Sequence, residues 1–349
     1  MSTYELLADL PVKIDGYTLE PLEKSLSAEF VRKTTVIHLQ GNGEEGIGED
    51  VTYAIEDQEA LQRSGTELPL AGGYTLRSFA EHLRSLDLFP LPTQRPEFRL
   101  YRNWAFDSAA LDLALRQAHS TLHGALGREP QPVVFVASLR LGEPPSLEPL
   151  ERRLEISPTL RFKLDPTPSW DSSLIAELVA LGAVDSVDLK GQYEGTIVDN
   201  PADPALYQRV VDAFPDAWIE DPKLTAETEP ILLGHHERIT WDAPIHGVAD
   251  IEALPFPPRM LNIKPSRLGG LRSLLDTYDY CAAQGISTYG GGQSELGPGR
   301  GQIQYLASLF HPDTPNDVAP AGFNLPEPPA DLPSSPLAPT PSARGFRWD

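Results

Sequence analysis

The sequence of 349 residues contains a single cysteine, Cys281. One thiol cannot form a disulfide within the chain, and it cannot build a cysteine-based metal site. No apolar run approaches the roughly 18 residues that a membrane-spanning helix needs, so we expect no contact with a membrane. The first residues lack a basic start followed by an apolar stretch, which argues against a secretory signal. These absences predict a cytoplasmic protein.

Basic residues are also scarce. There are 28 lysines and arginines against 50 aspartates and glutamates, which gives a net charge of −22. So acidic a surface repels phosphate backbones, and we expect no nucleic-acid partner. A well-solvated surface explains the charge most simply. The alternative is that some carboxylates surround a cation, and composition alone does not distinguish the two.

Proline is abundant, with 35 residues, and it is concentrated near the C-terminus. Residues 325–349 cannot form a helix or a central strand, because proline fixes its own backbone angle and donates no hydrogen bond. The segment is therefore either a disordered tail or an extended stretch that lies on the surface. Phe346 and Trp348 at its end favour docking.

The first 125 residues or so have a mixed α+β pattern. Residues 32–47 indicate a strand, a turn and a second strand, and apolar spacing indicates helices at 75–89 and 107–126. After residue 130, short apolar strands alternate with helical patterns. The predicted strands lie at 132–139, 160–165, 184–190, 216–221, 238–242, 259–264, 285–291 and 316–320.

This alternation predicts a parallel sheet, and eight repeats of it predict a closed barrel. The alternative is an open doubly wound sheet. No GxGxxG or Walker A loop follows any of the predicted strands, which disfavours that alternative. In a barrel of this type the catalytic side chains stand at the carboxyl ends of the strands.

Charged residues stand at the ends of nearly all of the predicted strands. They are Lys163, Asp165, Asp188, Lys190, Glu220, Asp242, Lys264 and Asp317. A single aspartate after a strand is more often a turn residue or a helix cap, but that explanation is weak for the whole set. Carboxylates that converge on one barrel mouth repel each other unless a cation lies between them. Oxygen ligands suit Mg²⁺ first, and Mn²⁺ or Ca²⁺ next.

Several of these stretches resemble motifs of the enolase superfamily, and most closely its muconate-lactonizing-enzyme and o-succinylbenzoate-synthase-like branch. LNIKPSRLGGL (261–271) is similar to the lysine motif of the sixth strand and is the most specific match. WIEDP (218–222) resembles the metal-binding motif of the fourth strand. YGGGQSELGPGR (289–300) resembles the glycine-rich segment after the seventh strand, and GIGED (46–50) resembles a turn of the capping domain. The resemblance covers nearly the whole chain.

The resemblance implies an α/β protein, a (β/α)7β modified TIM-type barrel with an N-terminal α+β capping domain. The barrel would span residues 129–321, and the cap would span residues 1–128, completed by the C-terminal segment 322–349. The implied activity is that of a magnesium-dependent enzyme. A lysine removes a proton next to a substrate carboxylate, and the metal stabilises the resulting enediolate.

The resemblance also assigns roles to individual residues. Lys264 would be the base, and Lys163, Lys190 and Asp165 would complete the catalytic region. The three predicted metal ligands are Asp188, Glu220 and Asp242. The predicted substrate-binding residues are Gly292, Glu295 and Asp317.

Two positions depart from the family pattern. Asp165 stands where the family has the second lysine of Lys-x-Lys, and Lys190 stands where it usually has asparagine. Residues two apart in a strand share a face, so Lys190 could fill the space of the missing lysine or pair with Asp165. We favour a structural pair, which leaves Lys264 as a single base.

A single base favours a lyase or dehydratase, in the manner of o-succinylbenzoate synthase. The alternatives are a racemase or epimerase that uses Lys190 with Lys264, a cycloisomerase, or a catalytically inactive member that binds metal. The partner would be a small carboxylate, and a homo-oligomer is left open.

The segments of the cap expected to face the substrate are 17–31 and 50–57. Their acidic residues are a weak indication that the other end of the substrate is neutral or cationic, although a solvated loop explains them equally well. These residues are Glu20, Glu23, Glu29, Asp50 and Glu56.

Overall fold

The computed structural model describes residues 2–25, 31–65, 67–195 and 199–349. The strands are β1 (Pro11–Ile14), β2 (Gly16–Ser25), β3 (Val31–Gly41), β4 (Glu44–Asp50), β5 (Gly72–Thr75), β6 (Val136–Leu139), β7 (Arg161–Leu164), β8 (Val184–Asp188), β9 (Trp218–Glu220), β10 (Ile239–Trp241), β11 (Met260–Ile263) and β12 (Ser287–Gly290). The helices are α1 (Ile55–Ser64), α2 (Leu76–Arg84), α3 (Phe98–Gln117), α4 (Leu122–Leu126), α5 (Glu148–Ile156), α6 (Ser172–Leu181), α7 (Pro204–Ala213), α8 (Glu229–Leu232), α9 (Val248–Glu252), α10 (Pro265–Leu268), α11 (Leu271–Gln284) and α12 (Pro298–Phe310).

The N-terminal part is the predicted α+β cap. β2, β3 and β4 form an antiparallel sheet, and β3 and β4 are joined by a tight turn at Asn42 and Gly43, with φ of 52° and 74°. Positive φ at both turn residues matches the right-handed twist of the strands. Helix α3 crosses this sheet at very short range, because Gly46 and Gly48 of β4 lack side chains. A Cβ on Gly46 would lie 2.2 Å from the carbonyl oxygen of Ala109.

One helix prediction was wrong in its bounds. The sequence pattern indicated a single helix at 107–126, whereas α3 begins at Phe98 and ends at Gln117, and α4 follows as a separate helix. His119 lies between them with φ of 51°, and a left-handed residue of this kind ends an α-helix. The apolar periodicity continues across the break because both helices pack on the same core.

The second part of the chain is a parallel barrel. Strands β6 to β12 form one seven-stranded sheet in which each strand pairs with the next along the chain. The predicted eighth strand is reduced to two isolated parallel bridges, from Asn316 to Phe135 and from Asp317 to Gly291. These bridges join the two edges of the sheet, so the ring closes. The predicted fold class, a barrel with an α+β cap, is confirmed, while the exact domain boundaries stay a prediction.

Two sets of contacts connect the cap and the barrel. The buried Glu49 carboxylate of β4 accepts hydrogen bonds from the backbone N–H groups of Leu296, Gly297 and Gly299, at the start of α12. The C-terminal segment lies against the folded protein, which is the second of the two predicted alternatives. Its residue Phe346 is fully buried. Among the residues that the structure describes, no helix has the length and apolar content needed to cross a bilayer.

Candidate active site

A cleft of about 2060 Å³ lies between the cap and the carboxyl ends of the barrel strands. Seven of the ten predicted site residues line it, and they are Lys163, Asp165, Lys190, Lys264, Gly292, Glu295 and Asp317. The three predicted metal ligands, Asp188, Glu220 and Asp242, are fully buried beneath the cleft floor. The structure therefore brings all ten predicted residues to one end of the barrel.

Lys264 follows directly after β11, and its side chain lies against the Asp242 carboxylate. The Lys264 Nζ donates to Asp242 Oδ2 at 2.7 Å, and Arg267 Nη1 donates to Oδ1 at 2.5 Å. Tyr193 donates to Oδ2 at 2.8 Å. Burial would raise the pKa of Asp242, but Arg267 and Lys264 outweigh it and hold that pKa well below its usual range. Asp242 is therefore a carboxylate with three donors.

Glycine at position 291 makes room for the Lys264 side chain. A Cβ on Gly291 would lie 2.7 Å from Lys264 Cε and 2.4 Å from Asn262 Oδ1. Both contacts are far shorter than van der Waals distance, so any larger residue would displace Lys264 or Asn262. Glycine at this position is therefore needed to leave space for the side chain of the candidate base, Lys264.

A buried group of carboxylates lies where neighbouring strands end. Asp188 of β8 and Glu220 of β9 are register partners, and with Asp221 they place carboxylate oxygens within 4.8 Å of one another. All three residues are completely buried, and their donor atoms are all oxygen, which is the donor set that a hard divalent cation prefers. The group therefore fits a metal ion of the Mg²⁺ type.

Asp221 joins this group, although a single aspartate that follows a strand is more often a turn residue. Its two oxygens accept the backbone N–H groups of Asp242 and Ala243, both at 2.8 Å, so it also has the predicted structural role. Burial, with Asp242 and Asp188 adding to it, raises the pKa of Asp221 to about 7. The predicted ligand Asp242 stands outside the group, because Lys264, Arg267 and Tyr193 hold its oxygens.

Lys163 lies among the same carboxylates. Its Nζ donates to Glu220, lies 3.1 Å from Asp188 Oδ2 and lies 3.6 Å from Asp317 Oδ2. The residue is only 1% exposed. Burial would lower the pKa of Lys163, but Glu220, Asp188 and Asp317 outweigh it and raise that pKa well above its usual value. Lys163 is thus a buried ammonium that compensates the carboxylates.

Asp165 and Lys190 do not form the simple pair that the sequence suggested. Lys190 Nζ donates to Asp188 and lies 3.8 Å from Asp165 Oδ1, while Asp165 Oδ2 accepts from Arg140 Nε at 3.0 Å. Arg140 comes from the loop after β6, and the sequence did not indicate this partner for Asp165. Lys190 is therefore held between two carboxylates, and Asp165 has a cation of its own.

The cleft is basic, in contrast to the chain as a whole. Its lining includes ten lysines and arginines but six aspartates and glutamates. Of the acidic cap residues considered above, Glu29 lies outside the described residues and the other four do not line the cleft. Asp50, for example, is fully buried in an ion pair with Arg102. Four carboxylates, those of Asp188, Glu220, Asp221 and Asp242, lie buried beneath the floor and balance the excess of cations in the lining. The weak indication of a cationic substrate group, which rested on the cap residues, is not supported.

Sequence reasoning missed Tyr193, Arg267 and Arg140. Arg267 had a detectable signal, because it follows Lys264 by three residues and so lies one helical turn away on α10. Tyr193 and Arg140 belong to loops after β8 and β6. Nothing in the local sequence indicates where those loops fold back.

Family models match both parts of the chain. Residues 5–125 match the N-terminal domain and residues 129–325 the C-terminal domain of a family described as domain of unknown function DUF8230. An N-succinylamino acid racemase of an Amycolatopsis species is 28% identical over 86% of this chain and 82% of its own length. An o-succinylbenzoate synthase of Geobacillus stearothermophilus is 28% identical over 62% of this chain and 58% of its own length.

Solved structures share the fold. A dipeptide epimerase from Methylococcus capsulatus, complexed with a Mg ion, superposes with a TM-score of 0.62 at 20% identity and covers 90% of this chain and 88% of that one. A member of the enolase superfamily from Listeria innocua superposes with a TM-score of 0.61 at 18% identity, over 89% of this chain and 86% of that one. The predicted resemblance to the enolase superfamily is confirmed at the level of the fold.

Proposed function

We propose, because the chain belongs to the DUF8230 family and has its relatives in the enolase superfamily, that it is a metal-dependent enzyme. It removes a proton from the carbon next to a substrate carboxylate. The observation that carries this proposal is that Lys264 lines a cleft beneath whose floor the carboxylate group of Asp188, Glu220 and Asp221 is buried. The substrate is a small carboxylate, whose negative charge the bound metal and the lysines of the lining would meet.

Asp188 and Glu220 would hold the metal, and Mg²⁺ suits their oxygens best. The third ligand would be Asp242, as the resemblance implies, or Asp221, which lies closer to the other two. A bound Mg²⁺ supplies positive charge that stabilises the negative charge developing on the substrate carboxylate. One relative of the same fold is complexed with a Mg ion, which supports this choice.

Lys264 would act as the base. The residue lines the cleft, and Asp242 and Gly291 fix the direction of its side chain. A positioned base contributes about 10²–10⁴-fold, or roughly 3–5 kcal/mol, whereas whole enzymes need about 8–23 kcal/mol. Most of the stabilisation must therefore come from the cations at the cleft floor.

A lyase or dehydratase that uses one base is the preferred reaction class. Asp165 occupies the position of the second lysine and is paired with Arg140, and Lys190 is held by Asp188. Neither arrangement presents a free amine on the face opposite Lys264. One relative is an o-succinylbenzoate synthase, which is of this class.

A racemase or epimerase is the second candidate. Two relatives are an N-succinylamino acid racemase and a dipeptide epimerase. Lys190 lines the cleft, and its amine would be available if Asp188 bound a metal instead. In that case Lys190 and Lys264 would act on opposite faces of the substrate. A cycloisomerase would use the same base and metal.

The test is exchange of the proton next to the carboxylate in deuterated water, followed by NMR with Mg²⁺ and a panel of small acids. The panel includes N-succinylamino acids, dipeptides and hydroxy acids, and Lys264→Met is the matched control. Exchange with retained configuration, or elimination, supports the one-base reading, and exchange with loss of configuration supports the epimerase. Exchange with none of the acids would support a catalytically inactive member that binds metal.

A further inference from the structure

The Lys163 ammonium shares its partners with the candidate metal site. It donates to Glu220 and lies 3.1 Å from Asp188, and these are two of the three carboxylates in the buried group. Metal ligation requires each oxygen to lie about 2.0–2.1 Å from Mg²⁺. The ammonium contacts one oxygen of each carboxylate, Glu220 Oε1 and Asp188 Oδ2, so an ion that binds these oxygens would have to take its place.

We propose that Lys163 is an internal cation that competes with the divalent ion for Asp188 and Glu220, so that metal binding displaces its ammonium towards the cleft. The inference rests on the metal site of the proposed function, and it adds that metal binding comes before substrate binding. Without the ion, the ammonium compensates the buried Glu220 and, together with Lys190, the buried Asp188. With the ion, that compensation is no longer needed.

The geometry also provides a position for the displaced ammonium. Asp317 Oδ2 lies 3.6 Å from Lys163 Nζ, and the Asp317 side chain is 20% exposed, whereas those of Asp188 and Glu220 are fully buried. Both Lys163 and Asp317 line the cleft. A small rotation of the lysine towards Asp317 would expose its charge where an anionic substrate enters. The metal would therefore bind before the substrate and prepare the cleft for it.

The first test measures Mg²⁺ affinity by calorimetry in Lys163→Met, which keeps the aliphatic chain but removes the competing charge. When a site is free in only a fraction of the molecules, the apparent affinity for its ligand is reduced in proportion to that fraction. We expect the variant to bind Mg²⁺ at least tenfold more tightly than wild type. Lys223→Met is the matched control, because Lys223 lines the cleft but pairs with Glu194, and its affinity should stay at the wild-type value.

The variant could fail to fold without metal, because its buried carboxylates lose their cation. Folding is therefore followed by circular dichroism as Mg²⁺ is added. Recovery of the native spectrum with Mg²⁺, but not with the same concentration of Na⁺, supports the proposal. A variant that stays unfolded at every Mg²⁺ concentration overturns it.

A second measurement uses wild-type protein and needs no substrate. Amine acetylation is quantified by mass spectrometry with and without Mg²⁺, and Lys24 and Lys223 serve as internal standards because both line the cleft. Displacement predicts a severalfold rise in labelling at Lys163 when Mg²⁺ is present, with no change at Lys24 and Lys223. Unchanged labelling would show that the ammonium stays in place, and the competition would be refuted.

The results separate this inference from the proposed function. If wild type and Lys163→Met bind Mg²⁺ equally, the metal site stands and the competition falls. If neither binds, the metal site of the proposed function falls, and the competition falls with it. Tighter binding in the variant, together with increased labelling in wild type, supports both.

Discussion

Replacing Lys264 with methionine should abolish exchange of the substrate proton while leaving the fold largely intact. Methionine retains an aliphatic chain of similar length beside Gly291, so the packing there is preserved. What is lost is the amine that lines the cleft. Loss of a positioned base costs about 10²–10⁴-fold in rate, which corresponds to roughly 3–5 kcal/mol in the activation free energy.

The expected cost in stability follows from what remains around Asp242. Arg267 still donates to one oxygen at 2.5 Å, and Tyr193 still donates to the other at 2.8 Å. Removing the sole partner of a buried charge destabilises the fold by about 3–5 kcal/mol. Asp242 loses only one of its three donors. We therefore expect the free energy of unfolding to fall by about 1.5–3 kcal/mol, the range for one hydrogen bond to a charged group.

The assay is NMR-detected exchange in deuterated water with the best acid of the panel, beside urea unfolding of the same preparations. Arg267→Met is the matched control for stability, because it removes a different donor from the same carboxylate and leaves the amine. Exchange at the wild-type rate in Lys264→Met would show that another group is the base. A stability loss well above the stated range would show that Arg267 and Tyr193 do not hold Asp242 on their own.

Four further predictions address the surrounding site. Glu220→Gln should lose Mg²⁺ affinity at least tenfold by calorimetry without changing the fold seen by circular dichroism, because one ligand charge is removed and no apolar area changes. Lys190→Met should lower the free energy of unfolding in urea by about 1–3 kcal/mol, because Lys163 still pairs with Asp188 and Arg140 with Asp165. If the enzyme is an epimerase, the same variant should lose proton exchange for one enantiomer only. Gly291→Ala should reduce exchange at least tenfold, because the new Cβ would lie 2.4 Å from Asn262 Oδ1, and an unchanged rate would contradict that geometry. Burial raises the pKa of Asp107 to about 6, so the folded chain retains a proton that the unfolded chain releases from about pH 4 upwards. Stability should therefore fall by up to about 3 kcal/mol as the pH rises from about 4 to 6, and Asp107→Asn should flatten that slope in urea unfolding.

The positions of the candidate base and of two carboxylates could be predicted because parallel strands end at one edge of a barrel. Asp188 and Glu220 close consecutive strands, and the structure makes them register partners. The same rule predicts the position of Lys264, which directly follows the end of β11, two strands after β9. Such predictions need only the order of the strands and the two-residue period of their side chains.

The ion pairs within the site could not be predicted in the same way. Arg140 reaches Asp165 from a loop, and Tyr193 reaches Asp242 from another, so both contacts depend on how loops fold back over the barrel. Net charge was also misleading near the cap, because it does not reveal which acidic residues are paired internally. Asp50 is neutralised by Arg102 and contributes nothing to the charge of the cleft.

The contacts of Asp112 in the middle of α3 have a consequence for synthesis of the protein. Its carboxylate is buried and accepts the backbone N–H of Ile47, the backbone N–H of Phe346 and the Nε of Arg347. Two of these three donors belong to residues that a ribosome adds more than two hundred positions after Asp112. The buried carboxylate in the central helix of the N-terminal domain therefore lacks two of its donors until residues 346 and 347 have been translated. Its final packing is then a late event, coupled to completion of the barrel that it covers.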